Sequence, residues 1–478
     1  MDSISYIKYT FNNINTDILA ENMYVGLGDV TLPTDITFDD TAYRNTKRNL
    51  IFAKKILTTD TAALISKNSW VANTTYDRYD NISNNNFHVI NQNRDVYKCI
   101  YNSASTPSTI EPITRGNSLI EESDGYIWKY MFTLTEAEFN KFSTTDFIPI
   151  IEDNDIVGNS VSGTIDFVTI DEGNTNFSLY NTGTVQQKLS TQVYKIEDTA
   201  SSITNAYQNF NVYINNGTGV GTLTNVSTSY ANSTGKYITF SSGVSLNVDS
   251  EYIISPKVEI SDRRGTGFEG YSVIGENEEL SQIIVIDPGS DYIKPELSLT
   301  TNGTGGDVEV TFLLSPELGH GSDAISELNA KKLMISSNFL LNEHQTLPNN
   351  SFTFYRSSLL NNPNTNSPGQ NTISYGISAD ITTTMAVGSL VTGANASGMI
   401  YYSNSTHVKI NDVIGDFANG EVISDANSVT GTINIIKNKD AETLSGSILY
   451  YSTHTNGVEH DQNVSEDIKF ILNLESNT

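Results

Sequence analysis

Three small groupings in this sequence carry residue types that could do chemistry. Gly265, Gly267 and Gly270 have the spacing of a dinucleotide-binding turn, where a strand runs into a helix whose N-terminus holds a pyrophosphate. The residues that follow, Tyr271 to Ile274, read as β, so a glycine-rich turn between strands is expected instead. Asp153, Asp155 and Gly158 open like a calcium loop, but Val157 and Thr164 stand at the fifth and twelfth positions, where ligands are needed. A solvated acidic loop is expected there, and a calcium site assembled from scattered Asp and Asn stays open. Glu121, Glu122 and Asp124 offer the paired carboxylates used in glycoside hydrolysis, which must be fixed across a cleft. With 55 acidic residues, chance clustering is the expectation.

The six histidines, His88, His320, His344, His407, His454 and His460, are dispersed, and no two have the i, i+4 spacing of a zinc protease. His320 sits in Gly319-His320-Gly321, which is no nucleophile elbow. Each is expected to be packed or at the surface. Cys99 stands alone, which excludes an intrachain disulfide and any multi-cysteine metal site. It reads as a small buried hydrophobe. No catalytic residue, metal or cofactor is expected. Tyr126, Trp128 and Tyr130 alternate on one face of an expected strand, with Ile127, Lys129 and Met131 opposite. Core packing is the expectation, and a subunit interface is the competing one.

The elements that must position these residues are mostly strands. Period-two alternation marks Val161 to Ile170, Asn211 to Ile214, Tyr237 to Phe240, Lys257 to Ile260, Gln282 to Ile286 and Asp307 to Leu313. Asn216-Gly217 and Asn302-Gly303 are turn signals. Pro288 in Asp287-Pro288-Gly289 is expected to stop ladder pairing. Helices are expected over Asn49 to Leu57, from Thr135 to about Phe142 with a Thr135/Glu138 capping box, and from about Ser322 to Met334. Two polar stretches, Gly173 to Ser250 and Pro348 to Asp440, read as insertions. The second holds two Val-Thr-Gly elements, at Val391 and Val429, that hint at a repeated hairpin. Asn361 to Gly369, with Pro363 and Pro368, reads as an exposed loop.

Composition agrees with β structure. The 478 residues carry 27 Lys+Arg against 55 Asp+Glu, a net charge of −28. Charged residues make up 17%, below the usual ~25%. Asn, Ser, Thr and Gly fill the gap, and 10% aromatics argue against disorder. The charge sets nucleic acid and anionic lipid aside as partners. Neither a secretion signal nor a membrane span is visible, so a soluble protein made in a cytosol is expected. The expected fold is mainly β: a β-sandwich core with few short helices and large β-rich or loop insertions. The expected regions are 1–150, an N-terminal core region with short helices; 151–256, an Asn/Thr/Gly-rich β insertion; 257–345, a middle β region with one helix; 346–440, a second β-rich insertion; and 441–478, strands returning to the core.

Several further segments stand out: Tyr24-Val25-Gly26-Leu27-Gly28-Asp29; Ala62-Ala63-Leu64-Ile65 running to Trp70; Val96-Tyr97-Lys98-Cys99-Ile100; Ser108-Thr109-Ile110-Glu111-Pro112; Asp124-Gly125-Tyr126-Ile127-Trp128-Lys129-Tyr130-Met131-Phe132; and Thr144-Thr145-Asp146-Phe147-Ile148-Pro149. The middle adds Val258 to Asp262 and Gly319-His320-Gly321-Ser322-Asp323, and the tail adds His460 to Phe470. Together they resemble the baseplate wedge protein of T-even-like contractile-tailed phages, the gene-product-eight family, in its longer marine or cyanophage-type version. The two insertions match nothing in that pattern. The resemblance implies a mainly β virion structural protein, not an enzyme. It would be a homodimer that links neighbouring wedge subunits in the tail baseplate and changes contacts when the sheath contracts. Tyr126, Trp128, Tyr130 and Trp70 are the motif residues expected in the core or at an interface. Two other readings compete: a receptor-binding or fibre-like β protein, from the Asn/Gly/Thr-rich insertions, and a carbohydrate-active enzyme, from the acid clusters.

Overall fold

The structure, a computed structural model, describes residues 12–14, 16–18, 20, 22–34, 39–79, 86–172, 176–306, 308–340, 352–366, 370–460 and 465–474. Expectations that fall on the first ten residues, Asp307, His344, Pro348, Pro368 and 461–464 lie outside them. The fold is mainly β, with 47% strand and 9% helix, and its sheets are antiparallel. No described helix is long and apolar enough to cross a membrane.

In chain order the first elements are β1 (Met23–Gly28), α1 (Asp40–Arg48), β2 (Leu50–Lys55), β3 (Thr61–Ser66), β4 (His88–Ile90), β5 (Asp95–Asn102), β6 (Leu119–Glu121) and β7 (Tyr126–Thr133). Then come α2 (Glu136–Phe142), β8 (Phe147–Pro149), α3 (Asn154–Gly158) and β9 (Ile165–Glu172). After the first polar stretch follow β10 (Lys257–Ser261), β11 (Thr266–Ile274), β12 (Leu280–Ser290), β13 (Glu296–Thr300), β14 (Glu309–Leu314), α4 (Ala324–Glu327) and β15 (Lys332–Phe339). The last are β16 (Phe352–Asn361), β17 (Thr372–Ser374), β18 (Ser447–His460) and β19 (Glu466–Asn473).

The chain forms two compact units. The first comprises Met1–Ser66, Thr135–Ile150 and Asn329–Thr478. It is a β-sandwich: a five-stranded sheet, β17-β2-β1-β16-β18, faces a four-stranded one, β19-β15-β3-β8. Val25, Leu27, Phe52 and Phe354 of one sheet meet Ile335, Phe339, Ile468 and Phe470 of the other. Every residue of β1 is buried. A Cβ at Gly26 would come within 2.9 Å of Leu360, Leu50 and Ser358, so the central strand has room only for glycine there. Residues 377–437 add a seven-stranded sheet with its own core, including Val391, Ile400, Ile410 and Ile423. Its first strand, Ile377–Asp380, pairs with its last, Ile435–Lys437.

The second unit comprises Lys67–Leu134 and Ile151–Leu328. It holds the four-stranded sheet β4-β5-β7-β6 and the pairs β9–β14, β10–β13 and β11–β12. Residues 181–255 form a seven-stranded sheet around Tyr194, Phe210, Val212, Tyr252 and Ile254. Here too the first strand, Asn181–Thr184, pairs with the last, Glu251–Ser255.

The structure corrects several local expectations. Asn49 to Leu57 is not a helix. The helix is α1, capped by Asp39, and Asn49 ends it. β2 is buried on both faces, by the sandwich core and by Ala42 of α1, so its unbroken apolar run has no readable period. The third helix covers only Ala324–Glu327, because Asn329 turns left-handed at φ 53° and β15 begins at Lys332. The capping box at Thr135 and Glu138 forms as expected. β9 starts at Ile165 rather than Val161, after a turn with Gly163 at φ 58°. Pro288 does not end its ladder: pairing resumes beyond a bulge, with Pro288 opposite Phe268. Asp153 caps the short helix α3 instead of heading an acidic loop. Asn361 closes β16, so the loop beyond it starts one residue later. The two Val-Thr-Gly elements are not equivalent: Thr392 ends one strand and Thr430 begins another.

Candidate functional site

β5 and β7 lie side by side, and their register places Lys98 opposite Lys129. Like charges facing each other across a ladder destabilise it unless they are compensated. Both lysines are buried, at 0% and 4% exposure. The compensation comes from β9, which supplies Asp166, and from the segment around α4, which supplies His320 and Glu327.

The four groups form one chain. The Lys98 ammonium is paired with the Glu327 carboxylate and lies 2.8 Å from Nδ1 of His320. Lysine can only donate, so Nδ1 accepts and the ring proton sits on Nε2. That proton is donated to Asp166 Oδ2 at 2.6 Å, while Thr164 Oγ1 donates to Asp166 Oδ1 at 2.7 Å. Glu327 also accepts the backbone N–H of Gly321 at 2.8 Å and of Asp323 at 3.2 Å. The Lys98 ammonium stands 4.0 Å from the centre of the Tyr79 ring. Burial pushes the Glu327 carboxyl upward, but the Lys98 charge and the bonds from Lys98 and Gly321 prevail and hold it down to about 2. Lys129 is pushed down to about 8 by burial and then by the charge of Lys98, against the pull of Glu327 and Asp166.

Both nitrogens of His320 are engaged inside the protein. The arrangement therefore fixes three segments to one another, and the imidazole has no free nitrogen to take a proton from a ligand. Beside it lies a cleft of about 470 Å³, with Lys129, Asp166 and His320 in its wall. A second cavity of about 700 Å³ shares Glu121, Ile127, Phe167 and Gln282 with that wall. Tyr101 and Phe167 stack at its side, with ring centroids 4.1 Å apart.

The residues singled out in the sequence are placed elsewhere. Tyr126, Trp128 and Tyr130 lie on the other face of β7, buried among Tyr76, Val89, Tyr97 and Cys99, and Trp70 packs half-buried against them. Burial pushes the Cys99 thiol up. Asp124 is taken up by structure: Oδ2 accepts from Ser108 Oγ at 3.2 Å, Thr109 N at 2.7 Å and Ile110 N at 3.0 Å, and Oδ1 accepts from Tyr126 N at 3.1 Å. Gly265 sits in the turn between β10 and β11, and Gly267 and Gly270 lie within strand β11, with no helix following. His407 bonds Asp380 at the surface, and His454 meets Ser357. Among the described residues, no group of three or more His, Cys, Asp or Glu could hold a metal ion. The sequence reading missed Lys98, Asp166 and Glu327. The one available signal was a lysine inside the apolar run Val96–Ile100, an inward position where charge requires a partner. No protein-family model matches this chain, and no curated protein matches it.

Proposed function

We propose that this chain is a structural subunit of a contractile phage tail, a baseplate wedge protein that joins neighbouring wedge proteins as a homodimer in the virion. One observation carries the reading: the segments that resemble the wedge family meet in space. Lys98 comes from Val96–Ile100, Lys129 from Asp124–Phe132, and His320 from Gly319–Asp323; Lys98 bonds His320 and stands opposite Lys129 in the ladder. Asp124 likewise ties its own segment to Ser108–Ile110. Motif residues that bond one another act as a scaffold signature. The mainly β sandwich is in keeping with this. A net charge of −28 favours partners with basic faces and speeds their encounter.

The test is co-expression with the wedge proteins of one contractile tail, followed by size exclusion and a density map of the intact tail. Co-elution, and density for this chain between wedge subunits, is expected. A chain that co-elutes with no wedge protein, forms a trimer and binds glycan would overturn the reading in favour of a receptor-binding fibre.

A further inference from the structure

We infer that the cleft beside Lys129 is a binding site for a carboxylate carried on a compact apolar body. Its volume of about 470 Å³ lies within the range that holds small ligands. Its apolar wall comes from Leu119 of β6, Ile127 of β7, Phe167 of β9 and Ile284 of β12. Lys129 supplies the polar anchor. Its ammonium has three donors, and among the described residues it meets a single hydrogen-bond acceptor, the Asn117 carbonyl at 2.5 Å. A buried ammonium with spare donors gains from any acceptor that reaches it, most of all a charged one.

The buried carboxylates beside the cleft are already used. Asp166 is held by His320 and Thr164, and Glu327 by Lys98, Gly321 and Asp323. Apart from the exposed Glu121, the carboxylates at the cleft are engaged, whereas the buried Lys129 ammonium keeps spare donors, which favours an anion over a cation. The charged and titratable groups facing Lys129 are Lys98 of β5, Glu121 of β6, Asp166 of β9, and His320 and Glu327 from the α4 segment. Burial holds Lys129 down to about 8, so the ammonium that binds is lost as pH rises through that region.

Two sources could present this chemistry: a free small acid, or the carboxy-terminal residue of another polypeptide. The test titrates the full chain with 3-phenylpropionate, with its amide, and with an acetylated peptide ending in phenylalanine as free acid or as amide. Saturable binding of an acid but not of its amide is expected. Lys129→Met should weaken that binding by about tenfold or more, and so should raising the pH from about 7 to about 10. Tighter binding of the peptide acid than of phenylpropionate assigns the polypeptide source, and the reverse assigns the small acid; both support the site. Equal binding of acid and amide, no saturation by about 10 mM, or binding unaffected by both Lys129→Met and pH overturns it. Should Lys129→Met fail to fold, the acid–amide comparison and the pH series on the unmodified chain decide.

Discussion

Replacing Glu327 by Gln leaves Lys98 with its charge buried and its anion gone. Breaking a buried pair from one side costs about 3–5 kcal/mol. Glu327→Gln should therefore lower the unfolding free energy read from urea denaturation by an amount of that order, while the paired change Lys98→Met with Glu327→Leu should recover most of it. An unaltered midpoint in the single variant would show that the pair contributes nothing. Acid makes the same point on the unmodified protein. The folded Glu327 titrates at about 2, against 4.5 for the free group. Its contribution is therefore complete above about pH 5 and is lost as pH falls through about 2, a change of about 3 kcal/mol. The wild-type and Glu327→Gln stabilities should converge over that window as the carboxyl protonates. The sequence could not announce this pair, because Lys98 and Glu327 lie 229 positions apart and nothing local links one to the other. His320 was visible only as a histidine between two glycines.

Local signals were readable where one short-range interaction decides the structure, and they failed where tertiary burial does. The capping box at Thr135 is closed by its own Glu138, so its four residues suffice to identify it. β2 is covered from both sides by residues distant in sequence, and its apolar run reads equally well as a helix. The turn after β5 belongs to the same class. Ser103, Ala104 and Ser105 are all left-handed, at φ 49°, 53° and 65°, and nothing in Ser-Ala-Ser foretells it. The conformation is enforced by Asn102, whose Oδ1 accepts the Ser105 N–H, and by Gly125, where a Cβ would come 2.5 Å from Ser103 Oγ. Ala104 is exposed, so Ala104→Gly should relieve strain and raise stability by about 0.5–1 kcal/mol. Gly125→Ala, at φ 82° and in that close contact, should lower it by about 1–3 kcal/mol. Thermal midpoints moving in opposite directions would bear this out; two shifts of the same sign would not.

At the scale of the whole molecule, the polar stretches that made the composition unusual include two seven-stranded sheets. In each, the first strand pairs with the last, so the chain leaves close to where it entered. Replacing 181–254 by a short Gly-Ser bridge should leave the rest of the second unit folded. The sheet is joined to that rest by a bond from Asn211 Nδ2 to the Gly270 carbonyl, bonds from Asn302 to the Ala206 and Gln208 carbonyls, and a Tyr213–Tyr271 stack at 4.3 Å. Tyr271→Thr should accompany the excision so that no aromatic ring is bared. A non-aggregated product with a cooperative melt is expected, and an aggregate would show that this sheet is integral to the unit. Composition made the stretches visible as a departure from the core. The pairing of first with last strand was hidden, because it joins strands roughly 55 to 75 residues apart, and alternation within each strand does not say which neighbour it takes.

The path of the chain through the two units also sets an order in time. Synthesis delivers the last residue of the second unit, Leu328, well before the first unit is complete. β1, β2 and β3 emerge early, yet their partners β15, β16 and β17 come only after residue 330, and β19 closes the sandwich at Asn473. During translation these buried apolar strands must wait, unpaired on their later edges, while a complete neighbour assembles between them in the chain. A ribosome that pauses or stops in the last third therefore releases a nascent chain with a finished second unit and an open, adhesive first one. Such a chain is a natural client for chaperones, and the yield of folded first unit should depend on how fast the codons after residue 330 are read.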